Sequence, residues 1–79
     1  MRLAKSKAEW AERARTFLKK KLKETGITYV ELAERLEQQG FTETEASITN
    51  KLQRGTFPAI FFLACLAAMK LKGVALREI

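Results

Sequence analysis

The sequence predicts an all-α fold of four to five short helices, and three observations predict it. Apolar residues recur at three- and four-residue spacing along most of the chain. Ser or Thr followed three positions later by Glu, and then Gly, recur in alternation as helix start and stop signals. No stretch alternates apolar and polar residues for the length of a strand.

The first helix opens at Ser6-Lys7-Ala8-Glu9, a capping box in which a hydroxyl and a carboxylate satisfy free amide N–H groups. Trp10, Ala11, Ala14, Phe17, Leu18 and Leu22 then repeat at helical spacing as its expected core face, and Thr25-Gly26 ends it. Thr28-Tyr29-Val30-Glu31 opens a second helix with Val30, Leu32, Ala33 and Leu36 apolar, and Gly40 closes it. Thr42-Glu43-Thr44-Glu45 opens a third, which runs to Arg54 and stops at Gly55. Thr56 is the expected cap of a fourth, with Pro58 in the first turn, where its missing N–H costs nothing. The fourth helix is expected to reach about Lys72, before Gly73, and Val74–Ile79 to form a tail or short helix. Residues 1–5 read as a flexible arm, and residues 1–79 as one domain.

Composition excludes several kinds of chemistry. Among 79 residues there is no His and one Cys, and all nine acidic residues are Glu. Zinc fingers, disulfide frameworks, Ser-His-Asp or Cys-His catalysis and Asp-rich calcium loops have no ligands or bases to use. The expectation is therefore no enzyme, no metal and no cofactor. The charged start has no apolar stretch behind it, as a signal peptide would. The run Phe57 to Met69 is shorter than the roughly 20 residues of a membrane span. A cytoplasmic protein with no membrane partner is expected, with Cys65 a small buried apolar residue.

The formal charge is +6 and the pI about 9.8. Residues 1–23 hold nine Lys/Arg and two Glu, residues 24–50 one Arg and six Glu, and residues 51–79 five Lys/Arg and one Glu. This basic–acidic–basic order points to a charged face rather than uniform solubilising charge, and with no catalytic residues it favours nucleic acid as partner.

Ile27-Thr28-Tyr29-Val30-Glu31-Leu32-Ala33-Glu34-Arg35-Leu36 resembles the "LTQEELAERL" segment of the Xre/Cro-type, lambda-repressor-like helix-turn-helix domains. Leu52-Gln53-Arg54-Gly55 is similar to that family's "IERG" ending of the recognition helix, and Thr56-Phe57-Pro58 with the apolar run to its packing helix. The likeness covers residues 8–70 and implies a compact helix-turn-helix domain that binds double-stranded DNA. The segment from Leu36 to Gly55 is several residues longer than the family pattern, with Glu37-Gln38-Gln39-Gly40-Phe41 added, and Thr49 stands where a buried apolar residue is usual.

The third helix also reads physically. At about 100° per residue, Phe41, Ile48 and Leu52 fall within roughly 40° of one another as the buried face. Glu43, Ala46, Ser47, Asn50, Gln53 and Arg54 fall opposite, with Lys51 at the flank. In a helix at about 43–54, Asn50 or Gln53 suits an adenine edge, Arg54 a guanine, Ala46 a thymine methyl and Glu43 a cytosine amine. The bland alternative is a polar solvated face, with Glu43 and Glu45 serving the helix dipole. Phosphate anchors are expected at Thr28 and Tyr29, where a helix begins, and at Lys51. Lys19, Lys20 and Lys23 are either a further phosphate anchor or a solvated last helical turn. Arg2, Lys5 and Lys7 form either a minor-groove arm or a solvated start. The expected function is a sequence-specific transcriptional regulator acting as a homodimer, with the fourth helix and the tail as dimer surfaces. The alternative is a helix-turn-helix-shaped adaptor for a protein partner.

Overall fold

The computed structural model describes residues 2–79. Helices α1 (Lys7–Thr25), α2 (Tyr29–Glu37), α3 (Glu45–Arg54) and α4 (Ala59–Ala68) are followed by a single 3-10 turn, Leu76–Glu78. No strand occurs among the described residues, so the all-α expectation holds. Helix α3 packs on both α1 and α2, and α2 also packs on α4.

Short polar side chains start the first three helices by accepting from orphan amide groups. Ser6 Oγ accepts from Glu9 N at 3.1 Å, Thr28 Oγ1 from Glu31 N at 3.1 Å and Thr44 Oγ1 from Ser47 N at 3.1 Å. The third start is displaced from the expected Thr42: the cap is Thr44, and its reciprocal partner is Ser47, whose Oγ accepts from Thr44 N at 2.9 Å. Glu43 therefore lies outside the helix. Thr56 does not cap α4, which begins after Pro58 without a side-chain cap.

Each α-helix stops at a left-handed residue: Gly26, Gly40, Gly55 and, less expectedly, Lys70 at φ 59°. Lys70 N–H donates to the Ala67 carbonyl and Leu71 N–H to that of Leu66, a Schellman arrangement. It ends α4 at Ala68, short of the predicted Lys72. Gly55 has a second constraint. A Cβ there, built at φ +68°, would stand 2.4 Å from the backbone oxygen of Ala11, so α1 and the end of α3 meet as closely as bare backbone allows.

The core is one cluster. Phe17, Leu18 and Leu22 of α1, Leu32 and Leu36 of α2, Ile48 and Leu52 of α3, and Phe61 and Cys65 of α4 are all buried. Truncating any of the large ones to Ala costs about 2–5 kcal/mol. Phe57, Phe61 and Phe62 extend it, with Phe57–Phe61 ring centroids 5.4 Å apart and Phe57–Phe62 stacked at 6.2 Å. Two residues expected in the core are not there. Trp10 is 39% exposed and Val30 51% exposed; Trp10 lies at the open rim of grooves lined by Phe57, Phe62 and Ile79, and Val30 lies on the outer face of α2.

The termini are tied to α1. Arg13 donates to the Arg2 carbonyl at 2.6 Å, and Lys5 N–H to the Glu9 carboxylate at 3.2 Å, where a flexible arm was expected; Met1 of that arm lies outside the described residues. At the other end, Glu78 accepts from Ala75 N–H at 2.9 Å and pairs with Lys21 at 3.4 Å. Ile79 packs against the core. No helix among the described residues is long and apolar enough to cross a membrane.

Candidate nucleic-acid interface

Helix α3 is capped at its start and held against α1 at its end. Its first turn is closed by the Thr44–Ser47 box. At its last turn, where carbonyls lack helical partners, Arg15 of α1 donates to the Gln53 carbonyl at 2.7 Å and also pairs with Glu12. Gly55 seals the same end against Ala11. Nothing in sequence spacing links Arg15 to position 53, so this positioning residue escaped the sequence reading.

With α3 held this way, Ala46, Asn50, Gln53 and Arg54 are exposed, within an arc of about 100° opposite Ile48 and Leu52. The side chains of Asn50, Gln53 and Arg54 make no hydrogen bond within the described residues, so amide and guanidinium donors and acceptors all face solvent.

Three other predicted site residues, Ser47 and Lys51 on this helix and Glu43 just before it, are taken up internally. The Glu43 carboxylate receives the Lys51 ammonium at 2.7 and 2.9 Å and the Ser47 hydroxyl at 2.6 Å. Only 8% of the Glu43 side chain and 24% of Lys51 are exposed. Lys51 Nζ also lies 5.3 Å from the centre of the Phe61 ring, a cation–π contact that binds α3 to α4. Burial pushes the Glu43 carboxyl up, but the hydrogen bonds from Lys51 and Ser47 outweigh it and hold it below the ordinary carboxylate range. The structure thus sets Glu43, Ser47 and Lys51 apart from the outer-face residues with which Glu43 and Ser47 were expected to read bases and Lys51 to anchor a phosphate. Their polar atoms already have partners, and moving them would strip a mostly buried carboxylate.

The remaining cations divide between two faces. On α1, Lys19 and Lys23 follow Arg15 at four-residue steps, so they continue along the flank where Arg15 meets the end of α3. Lys20 points about 140° away from Arg15 round the helix. All three are exposed, and none pairs with a glutamate among the described residues. Thr28 is exposed at the start of α2 with its hydroxyl capping the helix, while Tyr29 is half-buried against the core. Arg54 is exposed one residue before Gly55.

Helix α4 carries no charged residue, and its exposed positions are Ala59, Ile60, Leu63 and Ala67, a wholly apolar stripe. Ile60 and Leu63 are 65% and 61% exposed. Cys65, behind them, is buried; desolvation pushes its thiol up to about 12, so it stays protonated and unreactive at neutral pH.

No curated protein and no solved structure matches the chain. Residues 10–74, from the exposed Trp10 of α1 to the residue after Gly73, match the family described as "Domain of unknown function (DUF6471)", and the chain belongs to that family.

Proposed function

We propose that this protein binds double-stranded DNA sequence-specifically, with α3 as a major-groove recognition helix, and that it acts as a homodimeric transcriptional regulator of the Xre/Cro-type, lambda-repressor-like kind. The observation that carries this reading is the outer face of α3. Ala46, Asn50, Gln53 and Arg54 form a contiguous set with free donors, acceptors and a methyl, on a helix capped at its start and tied to α1 at its end. These are the groups that distinguish base edges, at about 1–3 kcal/mol for each good bidentate contact.

Phosphate anchoring falls to Thr28 and Tyr29 at the start of α2, where free amide groups and the helix dipole favour an anion. Lys19 and Lys23 add to it along the flank that adjoins α3. Lys20 contributes long-range attraction only. The exposed apolar stripe of α4 supports self-association, since two copies would bury Ile60 and Leu63 together. The same stripe also favours the second reading, an adaptor that covers it with another protein.

Selection of bound fragments from random duplex DNA tests the reading. The expected result is one enriched, two-fold symmetric motif whose affinity falls steeply with salt. Asn50→Ala with Arg54→Ala abolishes the enrichment, whereas Lys19→Gln with Lys23→Gln weakens all sequences alike. Enrichment that survives the Asn50/Arg54 double variant removes α3 as the reading element, and no enrichment at all leaves the adaptor. Sedimentation of the chain checks the dimer, and Leu63→Glu is expected to return it to monomer.

A further inference from the structure

Five cations of this chain are half-buried: Arg13, Arg15, Lys21, Arg35 and Lys51. Four of them meet a glutamate, Arg13 with Glu9, Arg15 with Glu12, Lys21 with Glu24 and Lys51 with Glu43. Among the described residues Arg35 is the exception. Its Nη1 donates to the Ala68 carbonyl at 2.7 Å, at the C-terminal end of α4, so only the partial negative charge of a helix end faces it, and its other four N–H groups make no hydrogen bond among the described residues.

The guanidinium lines a cavity of about 360 Å³ together with Gln38, Gln39, Ala67, Ala68 and Lys70. No acidic residue lines it. The second cation, Lys70, is there against conformational preference. Of the four left-handed residues that stop the helices, three are glycines and the fourth is this lysine at φ 59°. Strain of this kind persists where the surroundings impose it, and it concentrates at binding sites. Gln39 donates to the Ala64 carbonyl at 3.2 Å, which leaves its amide oxygen free, while the exposed Gln38 supplies a further amide.

We propose that this cavity between the ends of α2 and α4 is a binding site for a small ligand bearing an oxyanion, phosphate or carboxylate. The anion takes the place that glutamate takes beside the other half-buried cations. Arg35 holds it through a charge-assisted pair, Lys70 adds the second positive charge, and the Gln38 and Gln39 amides bond the polar body of the ligand. The cavity is an open groove, so a bound anion would remain partly in contact with water. A nucleic acid is the poorer occupant, because the outer face of α2 beside the cavity carries exposed Glu34 and Glu37, which repel a polyanion laid across it. The site is separate from the α3 face and stands independently of DNA binding.

The test is NMR titration of the isotope-labelled chain with inorganic phosphate and, separately, with citrate at constant ionic strength, following the Arg35 Nε–H and the Gln38 and Gln39 side-chain amides. Saturable movement of these signals is expected with at least one probe. Saturation by phosphate alone identifies a phosphorylated ligand, and by citrate alone a carboxylate. Lys70→Gly removes the ammonium while relieving the backbone, so this variant stays folded, and affinity falls about tenfold, the effect of one lost charged contact. Arg35→Gln, which retains an N–H for the Ala68 carbonyl, falls by as much or more. No saturation with either probe, equal movement with chloride, or undiminished affinity in Lys70→Gly overturns the proposal.

Discussion

The two polar flanks of α3 are separated by less than half a turn of helix and have opposite fates. On the inner flank, Ser47 and Lys51 gather with Glu43 against Phe61, and every polar atom has a partner. On the outer face, Asn50, Gln53 and Arg54 have none among the described residues. Residue type does not separate the groups, since each contains uncharged polar and cationic side chains. What separates them is the apolar surface of α4 beside one flank. It removes water from Glu43 and Lys51, so they must satisfy each other, whereas Asn50 and Arg54 keep water as their partner.

Perturbing α3 from its inner to its outer side should therefore give stability effects that fall in order. Gly55→Ala is the most damaging, because it adds a Cβ 2.4 Å from the Ala11 oxygen at positive φ. A loss of about 3 kcal/mol or more is expected in urea unfolding. A loss under 1 kcal/mol would mean that α1 and α3 are not held at this contact.

Glu43→Gln comes next, with an expected loss of about 2 kcal/mol at pH 7, because Lys51 is left half-buried without its counter-charge. The sign with pH follows from the lowered carboxyl. Glu43 contributes its stabilisation fully above the unfolded-state carboxylate range and loses it as pH falls through its depressed folded value. The gap between wild type and Glu43→Gln should therefore narrow as the pH is taken from 7 towards 3, and a gap constant with pH would contradict the ion pair.

Lys70→Gly has the opposite sign. Relief of the left-handed lysine is expected to raise stability by about 0.5–1 kcal/mol, read as a higher urea midpoint. The smallest effect belongs to the outer face: Asn50→Ala should change stability by no more than about 0.5 kcal/mol while altering DNA selection. If Asn50→Ala destabilises as much as Glu43→Gln, the contrast between the flanks disappears.

Much of this architecture was legible from local signals. Ser6 and Thr28 as caps, and Gly26, Gly40 and Gly55 as stops, mark helix ends because capping chemistry acts over three or four residues. The 100° spacing also put Ala46, Asn50, Gln53 and Arg54 on one face, but it grouped Glu43 and Ser47 with them, and those two are half-buried. Besides the Arg15–Gln53 contact, three features were not legible. Thr42 and Thr44 are equally good caps in isolation, and Ser47 decides between them through its reciprocal bond to Thr44. The end of α4 was hidden because a lysine occupies the position where glycine would have announced it. The Glu43–Lys51 pair spans eight residues across a helix start and depends on Phe61, so no short-range rule exposes it. With the cap misplaced, Glu43 was assigned to the wrong face.

The clamping of α3 has an evolutionary meaning as well. Thr44–Ser47 at one end, and Arg15 and Gly55 at the other, hold the helix without using any side chain of its outer face. Ala46, Asn50, Gln53 and Arg54 are thus exchangeable lettering on a fixed mount. Under the proposed DNA-binding role, relatives that retain the mount while differing at these four positions would diverge in what they recognise, at little cost in folding, and a grafted set of four would carry its preference with it.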